Sequence, residues 1–198
     1  QYDAVKESAI LTTAMDSASS NLMVMDAEFN IVSINAALEQ MFKHNERKLQ
    51  TVLPLFKAHE VVGANMSVFH KNSTHLNQML SQLTAPWSTE MDLADLVIKL
   101  TVVPISANGV KKGYVVEWLD RTVEANVVRE IQKAVEAMRL GNFGNRITSD
   151  ATGSFNNIKH DINSALDNLT EIINLMTEVV EAQAQGDLTK ELQSGVFK

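Results

Sequence analysis

The chain has 198 residues, 45% of them hydrophobic and 21% charged, with a net charge of −7 and no cysteine. That is the composition of a folded protein of one or two domains, and so acidic a chain has no electrostatic pull toward nucleic acid or an anionic membrane surface. The missing cysteines exclude disulfides, zinc fingers, iron–sulfur clusters and thiol nucleophiles, and fit a reducing, cytoplasmic compartment. No apolar run is long enough to span a bilayer, so no membrane insertion is expected. No signal peptide opens the chain. Gln1 in place of an initiator Met predicts a piece of a longer protein.

Residues 1–19 predict an N-terminal helix over Asp3–Met15. Residues 20–122 then alternate short apolar runs with turn signals. Asn21–Asp26 and Asn30–Ile34 predict two strands around a tight Ala27-Glu28-Phe29 turn. Ala36–Phe42 predicts a short helix, and Arg47–His59, which holds Pro54, an irregular stretch. His75–Leu83 has helical spacing, with Leu76, Met79, Leu80 and Leu83 on one face. Trp87–Leu93, Leu96–Ile105 and Gly113–Leu119 predict three more strands, with Asn108-Gly109 as a hairpin turn between the last two. An α+β domain with a five-stranded antiparallel sheet and helices on one side satisfies this order.

Residues 123–198 contain no strand pattern and no proline. Phe155, Ile158, Ile162, Ala165, Leu169, Ile172, Met176 and Val179 follow a 3-4 alternation, with a second row at Leu166, Ile173 and Val180. Val127, Ile131, Ala134 and Met138 repeat the spacing on an earlier helix, with Val128 and Val135 beside them. Stripes this wide suit a four-helix bundle made by two copies of the chain rather than a two-stranded coil. The expected state is therefore a parallel homodimer through residues 123–182. The polar connector Gly141–Ser154 carries two apolar anchors, Phe143 and Ile147. A 45-residue period is visible. Ala134-Val-Glu-Ala137 returns as Val179-Val-Glu-Ala182, Gly141-Asn-Phe143 as Gly186-Asp-Leu188, and Ile147 as Leu192. Residues 183–198 are then the truncated start of a second unit.

Of the five histidines, His44 and His160 belong to solvated faces and His59 caps a turn beside Glu60. His70 differs, because it follows Val68-Phe69 and enters apolar surroundings, where it can ligate a metal. His75 either caps the next helix or is the ligand instead. Leu96, Ile98, Leu100 and Val102 share one face of a strand. Trp118 is either buried bulk or an indole donor that needs an acceptor. Trp87 reads as packing, and Met23 and Met25 as adaptable core. Catalysis has no support. Glu90, Asp92 and Asp95 read as a solvated edge, and there is no phosphate loop, no Ser–His–Asp order and no His-x-x-x-His pair. The chain is expected to sense or relay, not to act as an enzyme.

The helical tail resembles HAMP domains, parallel four-helix signal relays of bacterial receptors, through its first helix, Gly141-Asn142-Phe143 with Arg146-Ile147, and the second helix with Asn163 and Leu166. The first half resembles a PAS domain. Asp26 with Asn30-Ile31-Val32 and Asn35 matches the opening hairpin and helix entry, and Asp120-Arg121-Thr122 the Asp-x-Thr that ends the last strand. Val62-Gly63-Ala64-Asn65, Val68-Phe69-His70-Lys71-Asn72 and His75, with the later Val115-Val116-Glu117-Trp118, look like the haem-binding PAS domains of oxygen-sensing chemoreceptors. That resemblance implies haem b (iron protoporphyrin IX), with His70 as the iron ligand, His75 as the alternative, and Phe69, Leu100 and Trp118 around porphyrin and gas. It further implies oxygen or another diatomic gas as the signal, and a downstream chemoreceptor signalling domain with its kinase complex as partners. The competing reading keeps the fold but makes the domain a haem-free dimerising relay, or one that binds another small ligand such as a flavin.

Overall fold

The computed structural model describes residues 2–70 and 73–191. Lys71 and Asn72 of the histidine-containing motif, and Leu192 of the repeat, lie outside the described residues. Contacts divide the chain into two units, Gln1–Thr122 and Val123–Lys198. No described helix is long and apolar enough to cross a membrane.

The first unit begins with helix α1 (Tyr2–Ser17) and the hairpin β1 (Asn21–Asp26) and β2 (Ile31–Ile34). Helix α2 (Ala36–Val52), two short 3-10 turns (Ala58–Glu60 and Met66–Phe69) and α3 (Ser73–Ser81) follow. Three strands, β3 (Trp87–Leu93), β4 (Leu96–Ala107) and β5 (Val110–Asp120), complete it. All neighbouring strands are antiparallel, in the order β2-β1-β5-β4-β3. The sheet therefore joins the first strand to the last, the arrangement of a PAS fold. Alternation does the rest: Met23 and Met25 on β1, Leu96 and Ile98 on β4, and Tyr114 and Val116 on β5 form one core with Leu38, Phe42 and Leu49 of α2 and Leu80 of α3.

Helix α2 is ten residues longer than the pattern predicts, and Arg47–Val52 is helical rather than irregular. Its buried row is Leu38, Phe42, Asn45 and Leu49, a regular 4-3-4 spacing. The polar Asn45 breaks the apolar signal, yet it is satisfied in place by donating to the Met41 carbonyl oxygen at 3.0 Å. The helix stops only at Leu53, because Pro54 cannot continue it. At its start, Asn35 is fully buried and satisfied on both ends of its amide. Its oxygen accepts from Leu22 N–H (3.0 Å) and Leu38 N–H (3.1 Å), and its nitrogen donates to the carbonyls of Met15 (3.0 Å) and Ser20 (2.8 Å). One side chain thus caps α2 and ties it to β1 and to the end of α1.

The second unit consists of α4 (Thr122–Arg139), a connector and α5 (Gly153–Ala184). The connector is laced to both helices. Glu130 of α4 accepts from the N–H groups of Thr148 (2.7 Å) and Ser149 (2.9 Å). On the α5 side, Phe143 O accepts from Thr170, Ile147 exchanges two hydrogen bonds with the Asn163 amide (2.9 and 3.0 Å), and Ser149 O accepts from Lys159 (2.9 Å). Moving up the connector therefore means moving down α5 and back along α4, so the two helices run parallel. Ile147 is buried and Phe143 half-buried.

The 45-residue period reappears as hydrogen bonding. Gly141 N–H bonds Met138 O and Asn142 N–H bonds Ala137 O (both 2.9 Å); Gly186 N–H bonds Gln183 O and Asp187 N–H bonds Ala182 O (both 3.0 Å). Both glycines have positive φ, 80° and 89°, as this helix-ending motif requires. The predicted four-helix bundle needs a second copy of the chain, which a single chain does not contain. Val128, Val135, Ile158, Ile173, Met176 and Val180, all on the predicted apolar rows, are exposed here.

Candidate functional site

Between the sheet and the helices of the first unit lies a cavity of about 260 Å³. His70, Phe69, Leu100 and Trp118, which come from separate parts of the sequence, all line it. His75 does not; it is exposed on α3, outside the wall. His44, His59 and His160 are exposed as well. Several further wall residues were not read from the sequence as part of a site: Met23, Met25 and Trp87 read as packing, and Phe42 only as the end of a helix. Their spacing marks an inward face, and an inward face looks the same whether it meets another side chain or a cavity.

The wall is almost wholly apolar. Among the described residues, its side chains with hydrogen-bonding groups are His70, Trp87, Thr89 and Trp118, and no Lys, Arg, Asp or Glu contributes. Rings run from one side to the other: Trp118 meets Phe42 (5.1 Å between centroids), Phe42 meets Phe56 (5.2 Å) and Phe56 meets Phe69 (5.9 Å). A second cavity of about 200 Å³, lined by Val52–Phe56 and Val68–His70, shares Leu53, Phe56, Phe69 and His70 with the first.

His70 closes the 3-10 turn Met66–Phe69, its N–H bonding Ser67 O at 3.2 Å. Its ring Nδ1 lies 3.0 Å from the Met66 carbonyl oxygen. A carbonyl only accepts, so in the neutral ring Nδ1 carries the proton and Nε2 the lone pair. Trp118 offers the complementary group: its indole N–H is buried and has no acceptor among the described residues. Among the described residues no group of three or more His, Asp or Glu side chains could hold a metal ion. A single imidazole retains a metal only when the other ligands arrive with it.

The far wall is held by Tyr114, fully buried on β5. Its hydroxyl donates to Leu80 O at 2.9 Å, and Lys111 Nζ donates to Ser81 O at 2.6 Å, so two β5 side chains grip the last carbonyls of α3. Burial pushes the Tyr114 phenol pKa up, which keeps it a donor. At the exit of the unit, Asp120 accepts from Thr122 N–H (2.9 Å) and Thr122 hydroxyl (2.5 Å), and that hydroxyl accepts from Val97 N–H (3.0 Å). The last strand that bears Trp118 is thereby locked to β4 immediately before α4.

Over 188 residues, 94% of this chain, the sequence is 32% identical to the methyl-accepting chemotaxis protein McpB of Pseudomonas aeruginosa. The chain spans 28% of the length of that relative. Among solved structures, the Aer2 receptor from Vibrio cholerae, described as a dual PAS-heme oxygen sensor, is 33% identical over 51% of this chain and 93% of that one, with a TM-score of 0.48. The PAS domain of Bordetella pertussis BvgS is 17% identical over 67% of this chain and 98% of that one, with a TM-score of 0.45. No family model matches the chain. The chain is thus homologous to part of a methyl-accepting chemotaxis protein, and its first unit has the strand order of a PAS fold.

Proposed function

We propose that the first unit binds haem b and senses oxygen or another diatomic gas, and that the second is a HAMP-like relay passing the state of the first to a chemoreceptor signalling domain and its kinase complex in the cytoplasm. The observation that carries the haem reading is the pairing of His70 and Trp118 across one apolar cavity: an imidazole Nε2 and an indole N–H without an acceptor, with no charged side chain on the wall among the described residues.

The residues fit the group. Porphyrin would supply the further ligands that the described residues do not, so one imidazole suffices. His70 would hold the iron through Nε2, with Met66 O orienting the ring from behind. Leu100 and the Phe42–Phe56–Phe69 row would bound the macrocycle with apolar surface. When bound, haem would supply a metal centre able to take up a small gas. Trp118 would then donate to that gas, which satisfies an N–H that otherwise stays buried without a partner, a state costing about 1–3 kcal/mol. A flavin draws less support, because its ring edge needs several donors and acceptors and this wall offers few.

For the relay, the supporting observation is the exposed apolar row on two parallel helices, which a second copy of the chain would cover.

The test is reconstitution of the purified chain with haemin, followed by visible spectra of the reduced protein with and without oxygen. The parent is expected to take up one equivalent and show a strong Soret band. His70→Ala is expected to lose haem on desalting while His75→Ala keeps it. A parent that stays colourless, or a His70→Ala variant that binds as the parent does, refutes the haem reading.

A further inference from the structure

The segment that carries His70 is held by a chain of side-chain amides that the cavity does not include. Asn65 stands at its centre and uses all four of its hydrogen-bonding positions. Its Oδ1 accepts from Ser67 N–H (3.1 Å) and Ser67 hydroxyl (2.6 Å), and its Nδ2 donates to Glu28 O (2.8 Å) and Asn30 Oδ1 (2.8 Å). Asn30 Nδ2 in turn donates to Asp26 Oδ2 (2.8 Å), and Asp26 Oδ1 accepts from the N–H groups of Glu28 (3.0 Å) and Asn30 (2.8 Å). The amides thus form a directed series that ends on a carboxylate, and the hydrogen bond from Asn30 holds that carboxyl below its ordinary range. Backbone bonds run alongside: Met66 N–H donates to Phe29 O (2.9 Å) and Ile31 N–H to Ala64 O (2.9 Å).

Two features make this more than a loop staple. Phe29, whose carbonyl receives Met66 N–H, sits at φ 67°, a left-handed conformation that a bulky side chain adopts only under constraint. The Met66 carbonyl, one residue past Asn65, is also the group that accepts from His70 Nδ1. Asn65 caps the turn Met66–Phe69 and so fixes the direction of that carbonyl.

We propose that Asn65 is a positioning residue for His70: through the capped turn it aims the Met66 carbonyl at Nδ1, and so keeps the imidazole in the tautomer whose Nε2 lone pair serves the cavity. The proposal rests on the reading of His70 as a ligand for its purpose, but not for its observable. The tautomer exists without any cofactor.

The test is long-range ¹H–¹⁵N correlation of the histidine rings in the haem-free protein, with haem dissociation as a second readout. In the parent, His70 should show a protonated Nδ1 and an unprotonated Nε2. Asn65→Ala should give averaged shifts for the two nitrogens, reporting a tautomer mixture, and should release haem about tenfold faster, the size of effect that supporting partners of a metal-ligating histidine produce. Asn65→Leu, close in volume, carries the same expectation if Asn65→Ala does not fold. Asn65→Asp keeps the acceptor for Ser67 and should retain the parent shifts. Parent-like His70 shifts in a folded Asn65→Ala or Asn65→Leu variant overturn the proposal, as does a mixture already present in the parent. A parent that binds no haem but shows the tautomer change would sink the haem reading and leave the positioning role of Asn65 standing.

Discussion

Phe42 on α2 and Trp118 on β5 meet edge to face, with centroids 5.1 Å apart and planes at 86°. The contact joins the helical wall of the cavity to the strand that leads out of the PAS unit. Trp118 is gripped at its backbone too, where Asn21 Nδ2 donates to its carbonyl oxygen at 2.8 Å. Two residues further on, Asp120 begins the hydrogen-bonded turn with Thr122. A ligand that moves the indole therefore acts on a strand whose far end opens α4.

That strand tolerates little change on its β1 side. Gly113 pairs with Asp26, and a Cβ built there would overlap the Met25 carbonyl oxygen and press on Asp26 Cα. Both obstacles are backbone, so neither can swing aside. Gly113→Ala should part β1 from β5 where Met25 lines the cavity, and cost about 1–3 kcal/mol, as overpacking usually does. Urea unfolding followed by circular dichroism measures it; a variant as stable as the parent would mean that the strands separate at no cost.

Glu130 should make the second unit sensitive to acid. Its carboxyl is held below the usual range chiefly by Ser149 N–H, and also by Thr148 N–H. A folded pKa below the unfolded one contributes stability that is complete above about pH 4.3, the ordinary glutamate value, and is lost as pH falls through the lowered folded value. Glu130→Gln removes the titrating group. Thermal melts across a pH series should show the parent's advantage over this variant shrinking on acidification below about pH 4.3. A constant difference down to the acid limit would contradict the linkage.

Periodicity made the sheet, the hairpins and the two long helices legible, because each buries one face against something. Helix α2 was foreshortened because Asn45 holds an interior position by bonding its own backbone, which no apolar count registers. The repeat was legible from Ala137 and Gly141 to Ala182 and Gly186 because a helix end needs a residue tolerant of positive φ, and that demand recurs with the structure. The site was legible only in part. His70, Phe69, Leu100 and Trp118 came from resemblance and context, whereas Phe42 and Met25 were hidden among core residues. Asn65 was visible as a motif letter. Its role depends on Asn30, thirty-five positions away, and side-chain hydrogen bonds between distant loops leave no period in the chain.

The exposed rows on α4 and α5 predict the oligomeric state. Ile173 is 38% exposed and Val180 63% exposed on α5, so a charge at Ile173 costs the single chain little. In a parallel dimer the same charge would be buried without a partner, which typically costs several kcal/mol. Ile173→Glu should therefore give a folded monomer where the parent sediments as a dimer. A dimeric Ile173→Glu chain, or a monomeric parent, would remove the four-helix arrangement.

On the proposed haem reading, Trp118 decides between a haem protein in general and an oxygen sensor in particular. Its indole N–H is buried without a partner among the described residues, although the ring itself is well packed against Phe42. Tyr114 and Val116 share its face of β5, and both are buried in the same core, so the ring turns inward by strand alternation rather than by local accident. A donor left over in an apolar cavity favours a polar guest. A hydrogen bond to a charged acceptor is worth about 1.5–3 kcal/mol, which corresponds to about a ten- to hundredfold change in affinity. Oxygen in a haem pocket is a far stronger acceptor than carbon monoxide, so the two gases should respond unequally. Trp118→Leu keeps the wall apolar and removes only the donor and part of the bulk. It should retain haem, bind oxygen about ten- to hundredfold more weakly, and change its carbon monoxide affinity much less. Trp118→Phe, which restores the ring face but not the N–H, separates donor from bulk: if the hydrogen bond matters, it should behave as Trp118→Leu does. Titration of the reduced proteins with both gases reads this directly. Equal loss for both gases would point to packing alone, and unchanged oxygen affinity in both variants would leave Trp118 as a core residue with no part in sensing.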